Sequence, residues 1–258
     1  MNQQEKEIIA LQKKAAERRK TGLFVVEGIR GYREIPHNLI ETVVLSESFS
    51  RQKSALEIME ERNSRVVPDS IFSALSDTRT PQGILAVVRQ IRWKKDDLSA
   101  PDRPPLLVIL ETLQDPGNLG TIFRAGEAAG VTGIVMDEGT CDPWSPKVVR
   151  STMGSIFRMP FFTAEDLPAE TARLADAGIR ICAADMDGEA DYTRVDYTGG
   201  SAFLIGNEGN GLSAQMMQMA DTRVRIPMCG RVESLNAAMA ASVLMFEAAR
   251  QRREVSGR

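Results

Sequence analysis

The sequence predicts an α/β protein with a parallel sheet in its C-terminal half and a smaller α/β domain before it. Three observations lead there. Leu106-Leu-Val-Ile-Leu110 is a continuous apolar run, as expected of a strand buried on both faces of a parallel sheet, and Ser201-Ala-Phe-Leu-Ile205 reads as another buried strand. Helical patterns alternate with strand patterns along the chain. A polar, proline-rich stretch, Trp93 to Pro105, divides the two parts. The expected domains are therefore residues 1–92 and 106–258, with a linker over 93–105.

In order, residues 5–20 read as one charged helix. Leu23 to Glu27 is a strand, and a helix begins between Gly28 and Ile35. Glu41 to Leu45 is a strand, and Arg51 to Arg62 is helical, with Leu56 and Met59 on one face. Arg65 to Val67 is a strand stopped by Pro68, Ile71 to Leu75 a short helix, and Gly83 to Ile91 a strand. Beyond the linker, helix 119–129 and strand Gly133 to Met136 follow Leu110. A loop runs from Asp137 to Pro146, a helix spans Lys147 to Met153, and Phe157 to Phe162 is extended. Glu165 to Ala177 is a helix ended by Gly178, and Ile179 to Ala184 a strand. After Ile205 come a glycine-rich loop, a short helix, a strand from Val224 to Ile226 and a long helix, 234–252. Ser234 is the expected N-cap of that helix, since its hydroxyl accepts from a first-turn N–H. Ala237, Ala238, Ala240 and Ala241 permit close packing against it.

The chain has 258 residues, 43% hydrophobic and 26% charged, the composition of a globular protein. It has no apolar run of membrane-spanning length and no secretory leader pattern at Met1. Cys141, Cys182 and Cys229 are far apart and no C-x-x-C occurs, which predicts reduced thiols, a cytoplasmic location and no zinc site. The single histidine, His37, beside Pro36, excludes most His-based metal sites and Ser-His-Asp catalysis near the C-terminal motifs. The net charge of −3 is unevenly placed. Residues 1–35 hold eight basic and five acidic residues, a net +3, so the remainder carries −6. A basic arm on an acidic body suits a phosphate-rich partner, and equally an amphipathic helix in solvent.

Three loops follow strand ends, where parallel α/β sheets bind ligands. The first holds Asp115-Pro-Gly117, a turn, then Asn118 as a helix cap and Arg124 nearly two turns on. Alone, it is also explained as a capped helix with a surface arginine. The second is Gly206-Asn-Glu-Gly-Asn-Gly211. It fits neither G-x-G-x-x-G nor the P-loop pattern, and a tight strand-to-helix turn accounts for it. The third is Ile226 to Asn236, with Ser234 and Asn236 at a helix start. Three such loops in one domain outweigh any one of them.

Asn118-Leu-Gly-x-x-x-Arg124 with Gly130, Gly206-Asn-Glu-Gly209, and Ile226-Pro-Met-x-Gly230 with Ser234-Leu-Asn236 resemble the three ordered motifs of the SpoU/TrmH family. These are S-adenosylmethionine-dependent RNA 2′-O-ribose methyltransferases of the SPOUT superfamily. Met153-Gly-Ser-Ile-Phe-Arg-Met-Pro160 is similar to that family's middle segment. Residues 11–33, with Phe24-Val-Val-Glu-Gly28, are similar to the start of its L30e-like substrate-binding domain. The resemblance implies a SPOUT domain with a deep trefoil knot over residues 202–236. It implies S-adenosyl-L-methionine as cofactor, held by Gly206, Gly209, Ile226 and Leu235, and no metal. Arg124 is implied as the catalytic arginine. Asn118 would orient Arg124 or the ribose, and Glu208, Ser234 and Asn236 match the remaining polar positions. Lys147 and Arg150 would contact phosphate. It further implies a homodimer through the C-terminal domain and an RNA substrate. The two-domain layout points to 23S ribosomal RNA, with transfer RNA, or a non-catalytic RNA-binding protein of the same fold, as the alternatives.

Overall fold

The computed structural model describes residues 2–61, 64–100, 102–232 and 234–256. The expected helix end at Arg62, Pro101 of the expected linker and Glu233 of the expected knot segment lie outside the described residues.

From the N-terminus come α1 (Gln3–Lys13), α2 (Ala15–Thr21), β1 (Leu23–Glu27), α3 (Ile29–Arg33), β2 (Ile40–Ser46), α4 (Glu47–Ser50), α5 (Lys53–Glu61), β3 (Ser64–Val67), α6 (Asp69–Leu75) and β4 (Ile84–Arg89). They continue with β5 (Leu106–Leu110), α7 (Pro116–Ala129), β6 (Gly133–Asp137), α8 (Pro146–Thr152), β7 (Phe161–Ala164), α9 (Leu167–Asp176), β8 (Arg180–Ala184), β9 (Ala190–Asp191), β10 (Ser201–Ile205), α10 (Ala214–Gln218), β11 (Thr222–Arg225) and α11 (Ala237–Ser256). These fall into two compact units, residues 1–92 with 142–157, and residues 93–141 with 158–258.

The first unit is a four-stranded mixed sheet in the order β1-β4-β2-β3. Its core joins Ile8 and Leu11 of α1 to Val25, Val44, Leu85 and Phe72. Residues 142–157 belong to it through aromatic packing: the Phe24 ring lies 4.7 Å from Trp144 and 6.0 Å from Phe157, centre to centre. The single helix expected over 5–20 is two helices, broken at Lys14, which is extended (φ −122°, ψ 114°). The break lets Arg18 fold back. Its guanidinium donates to the Leu11 and Gln12 carbonyls at the end of α1, at 2.5 and 3.2 Å, and to Asp142 at 2.8 Å. Arg18 is 4% exposed and so is no part of a basic RNA-binding arm, whereas Lys13, Lys14, Arg19 and Lys20 are exposed.

The second unit is a seven-stranded parallel sheet in the order β7-β6-β5-β10-β8-β11-β9. Every residue of β5 and β10 is buried, as their sequences predict. Successive strands extend from β5 to β7 on one side. The chain then crosses to β8 and returns to insert β10 between β5 and β8. Residues 93–105, expected as a linker, lie on this unit. Leu98 is 2% exposed and sits where a Cβ on Gly133 would meet it at 2.2 Å, and Lys95 pairs with Glu170 at 2.5 Å. Helix α11 packs on α7 and β10, and Ala238, Ala241, Leu244, Met245, Ala248 and Ala249 are its buried residues. Arg252 fastens its far end, donating to the carbonyls of Pro104, Pro105, Tyr197 and Gly199. Phe157, expected in a strand, closes a short 3-10 turn, and that strand begins only at Phe161.

Candidate active site

The carboxyl ends of β5 and β10 lie side by side, Leu110 opposite Ile205, so the loops that leave them begin in contact. Glu111 N–H donates to the Ile205 carbonyl at 3.0 Å, and the Glu111 carboxylate accepts from Ser213 N–H at 2.7 Å. Thr112 takes a positive φ of 53°, costly for a β-branched residue. Asp137, the last residue of β6, holds it there, accepting from Thr112 N at 2.9 Å and Oγ1 at 2.6 Å, and from Thr140 N and Oγ1.

The glycine-rich loop folds back on itself. Asn207 and Gly211 exchange main-chain hydrogen bonds at 3.0 and 2.9 Å. Asn207 Oδ1 accepts from Gly209 and Asn210, and its Nδ2 donates to the Thr112 carbonyl at 2.8 Å, tying the two loops together. Gly206 has to be glycine: a Cβ there would lie 2.2 Å from the Gly211 carbonyl carbon. Gly211 supplies the positive φ (+67°) that turns the loop.

Glu208 projects from this loop to the start of α7. It accepts from Gln114 N and Asp115 N, each at 3.1 Å, and from Asn118 Nδ2 at 2.9 Å. Partial burial raises its pKa, but these three donors outweigh that and hold it below the usual carboxylate value. The N-cap of α7 is Asp115, not Asn118: its carboxylate accepts from Asn118 N at 2.9 Å, and Pro116 occupies the first turn. Asn118 is thereby released to use its side chain elsewhere. Its Oδ1 accepts from Asn236 Nδ2 at 2.9 Å. Asn236 in turn caps α11, its Oδ1 accepting from Ala238 N at 3.0 Å and Met239 N at 3.3 Å. The expected cap at Ser234 is therefore displaced by two residues. Asn236 outcompetes Ser234 because its amide satisfies the helix and Asn118 together.

The structure thus joins Asn118, Glu208 and Asn236 in one hydrogen-bonded chain at the strand ends. Arg124 and Ser234 stand outside it, both exposed. Arg124 lies on the open face of α7 and, among the described residues, makes no hydrogen bond or ion pair. Arg150, expected at a phosphate, pairs with Asp77 at 2.9 Å in the first unit. Thr112, Asn207 and Asp137 were not singled out in the sequence; an Asp that ends an apolar strand was the available signal for the last.

The segment after β11 offers a different chemistry. Among the described residues from Ile226 to Leu235, no main-chain hydrogen bond is formed. Ile226 and Leu235 are half-buried, and Gly206 leaves the end of β10 without a side chain. Main-chain groups that bond to no other described main-chain group, together with two half-buried aliphatic side chains, fit an S-adenosylmethionine, whose adenine needs backbone hydrogen bonds and an apolar slot.

Residues 105–246 match the SpoU rRNA Methylase family. The chain belongs to that family. It is an RNA methyltransferase, the class that its motifs implied. Residues 2–86 of this SpoU methylase match the MRM3-like substrate binding domain. It is 31% identical over 237 residues to the 23S rRNA (guanosine(2553)-2′-O)-methyltransferase RlmP of Bacillus subtilis, covering 89% of this chain and 90% of that one. It is 32% identical over 256 residues to the 23S rRNA (uridine(2479)-2′-O)-methyltransferase of Streptomyces viridochromogenes, covering 93% and 86%. The crystal structure of the SpoU methyltransferase AviRb from S. viridochromogenes, in complex with the cofactor AdoMet, superposes over the full length of both chains with a TM-score of 0.89 at 29% identity. The A. aeolicus TrmH/SpoU tRNA modifying enzyme covers 60% of this chain and 78% of its own, with a TM-score of 0.54 at 26% identity.

Proposed function

We propose that this SpoU methylase transfers the methyl group of S-adenosylmethionine to a ribose 2′-hydroxyl of 23S ribosomal RNA. The observation that carries the proposal is the Asn236–Asn118–Glu208 chain, set beside the described residues of 226–235, whose main chain makes no hydrogen bond to another described main-chain group. Relatives that match along nearly the whole chain are named for 23S rRNA, and this favours ribosomal over transfer RNA.

When bound, S-adenosylmethionine supplies a methyl on a positively charged sulfur, open to in-line attack by an oxygen. The protein's own task is to place the hydroxyl and to accommodate its proton. Gly206, Gly209, Ile226 and Leu235 hold the cofactor, mostly through backbone groups, with residues 202–236 threaded as a knot around it. Asn118, its amide turned by Glu208 and Asn236, orients the ribose. Arg124 acts by gripping the ribose-phosphate and stabilising charge on the attacking oxygen, while the proton passes to phosphate or solvent. Ser234 lies at the mouth of the same segment and contacts the ribose.

Residues 1–92 would bind RNA, with Lys13, Lys14, Arg19 and Lys20 as exposed cations. Met239 and Phe246, two turns apart on α11 and 55% and 45% exposed, support a homodimer through the C-terminal domain. No described helix is long and apolar enough to cross a membrane, and we place the enzyme in the cytoplasm, where ribosomal RNA is made. The deciding experiment incubates the purified protein with labelled S-adenosylmethionine and 23S rRNA stripped of this modification. Label should appear at one 2′-O position and be absent with transfer RNA; label in transfer RNA alone would reverse the substrate assignment.

A further inference from the structure

The first unit contains a cavity of about 510 Å³, well separated in sequence from the strand-end loops. Val26 and Val149 are the buried apolar part of its lining, and Met153, 47% exposed, stands at its edge. Arg30 and Arg33, both exposed, bring cations to it, and Thr80 and Gln82 bring neutral polar groups. The volume is that of a small-ligand site, and the combination of apolar wall and cationic rim matches one nucleotide.

Two further features point to a ligand. Arg150 lines the cavity and donates from Nη2 to Asp77 at 2.9 Å, but its Nη1 is buried and has no hydrogen-bond partner. A buried, unsatisfied guanidinium donor is costly and calls for an acceptor, above all a phosphate or a base carbonyl. Gln82 is also committed in a useful way. Its Oε1 accepts from Ile29 N at 3.0 Å, which turns the Nε2 donors away from that contact. Gly28 makes room for it, since a Cβ there would lie 2.9 Å from Gln82 Oε1. Met153 holds a left-handed conformation (φ 51°, ψ 37°) at the end of α8, a strained placement of a flexible, polarisable side chain at the rim. Two carboxylates also line the cavity, Glu34 and Glu27, and the Glu27 oxygens are taken up by Ser76, Thr78 and Asp77 N–H.

From this we infer that the cavity receives a single unpaired nucleotide of the RNA substrate. Its base lies against Val26, Val149 and Met153, and its base edge or phosphate is met by Gln82, Arg150, Arg30 and Arg33. The pocket selects RNA by a displaced base, apart from the ribose that is methylated. The inference rests on the RNA methyltransferase reading.

The test uses the full-length protein and an RNA of about ten unpaired nucleotides carrying one 2-aminopurine, compared with the same sequence in a duplex. Arg30→Glu combined with Arg33→Glu, and separately Thr80→Trp to fill the cavity, should each weaken single-stranded binding about tenfold, and duplex binding by no more than about twofold. Photocrosslinking with 4-thiouridine RNA should label the tryptic peptide Ser151–Arg158, which carries Met153. Equal weakening of both RNAs, no weakening, or crosslinks confined to other peptides would overturn the pocket. S-adenosylmethionine affinity and methyl transfer to an RNA lacking an unpaired base are read in the same variants. If wild type fails to transfer methyl, the enzyme reading falls, while the fluorescence and crosslinks still judge the pocket.

Discussion

Asn236 Nδ2 donates to Asn118 Oδ1 at 2.9 Å, across 118 positions of sequence, while Asn236 Oδ1 accepts from two N–H groups of α11. One amide thus serves as helix cap and as the partner of Asn118, the residue proposed to orient the ribose. These roles separate by substitution. Asn236→Ala should lower stability by about 1–2 kcal/mol in urea unfolding, the typical worth of a cap. Asn236→Ser restores a capping oxygen but no amide donor, so it should recover the stability and leave methyl transfer reduced about tenfold or more. Full recovery of activity in the serine variant would remove the positioning role.

Arg124→Ala should cut methyl transfer by about 10²–10³-fold, the usual cost of losing a charge-stabilising donor. Its side chain is exposed and makes no hydrogen bond or ion pair with another described residue, so S-adenosylmethionine affinity by calorimetry should be almost unchanged. Parallel loss of both would refute the role given to Arg124.

Glu208 gives a pH signature. Its folded-state pKa is depressed, so its contribution to stability is present above the unfolded value of about 4.3 and is lost as pH falls through the lower folded value. Wild type should therefore be more stable than Glu208→Gln near neutrality, and the gap should close as the pH falls below the ordinary carboxylate range. Denaturant midpoints for both proteins across that range measure it. A gap that widens in acid would mean the carboxylate is not held ionised.

Gly206→Ala places a methyl 2.2 Å from the Gly211 carbonyl carbon, and backbone, unlike a side-chain tip, cannot swing aside. The loop should open, with a loss of about 1–3 kcal/mol and of cofactor binding together. Gly209→Ala is the control: its Cβ would meet only Asn207 Oδ1, at 3.3 Å, and it should fold normally.

The parallel sheet was legible because β5 is an unbroken apolar run and β10 reads as another buried strand, and burial on both faces leaves no other pattern. The pairing of the three loops was legible only through the family resemblance, since nothing local in Asn118 or Asn236 announces a partner so far along the chain. The two misplaced caps share one cause. Ser234 and Asn118 each have good capping chemistry, but tertiary hydrogen bonds reassign the task to Asn236 and Asp115. Arg18 misled in the same manner, because charge counting cannot tell a solvated arginine from one that closes a helix end. The placement of 142–157 with the first unit depends on Trp144 and Phe157 meeting Phe24, which periodicity does not encode.

The amide chain also has a direction. Glu208 only accepts, so Asn118 must turn its nitrogen toward it and offer its oxygen to Asn236, whose own oxygen is left for α11. One negative charge therefore sets the handedness of two amides and the first turn of the final helix. Glu208 alone is enough to orient Asn118, whereas Asn236 takes its orientation from Asn118 and the first turn of α11 together.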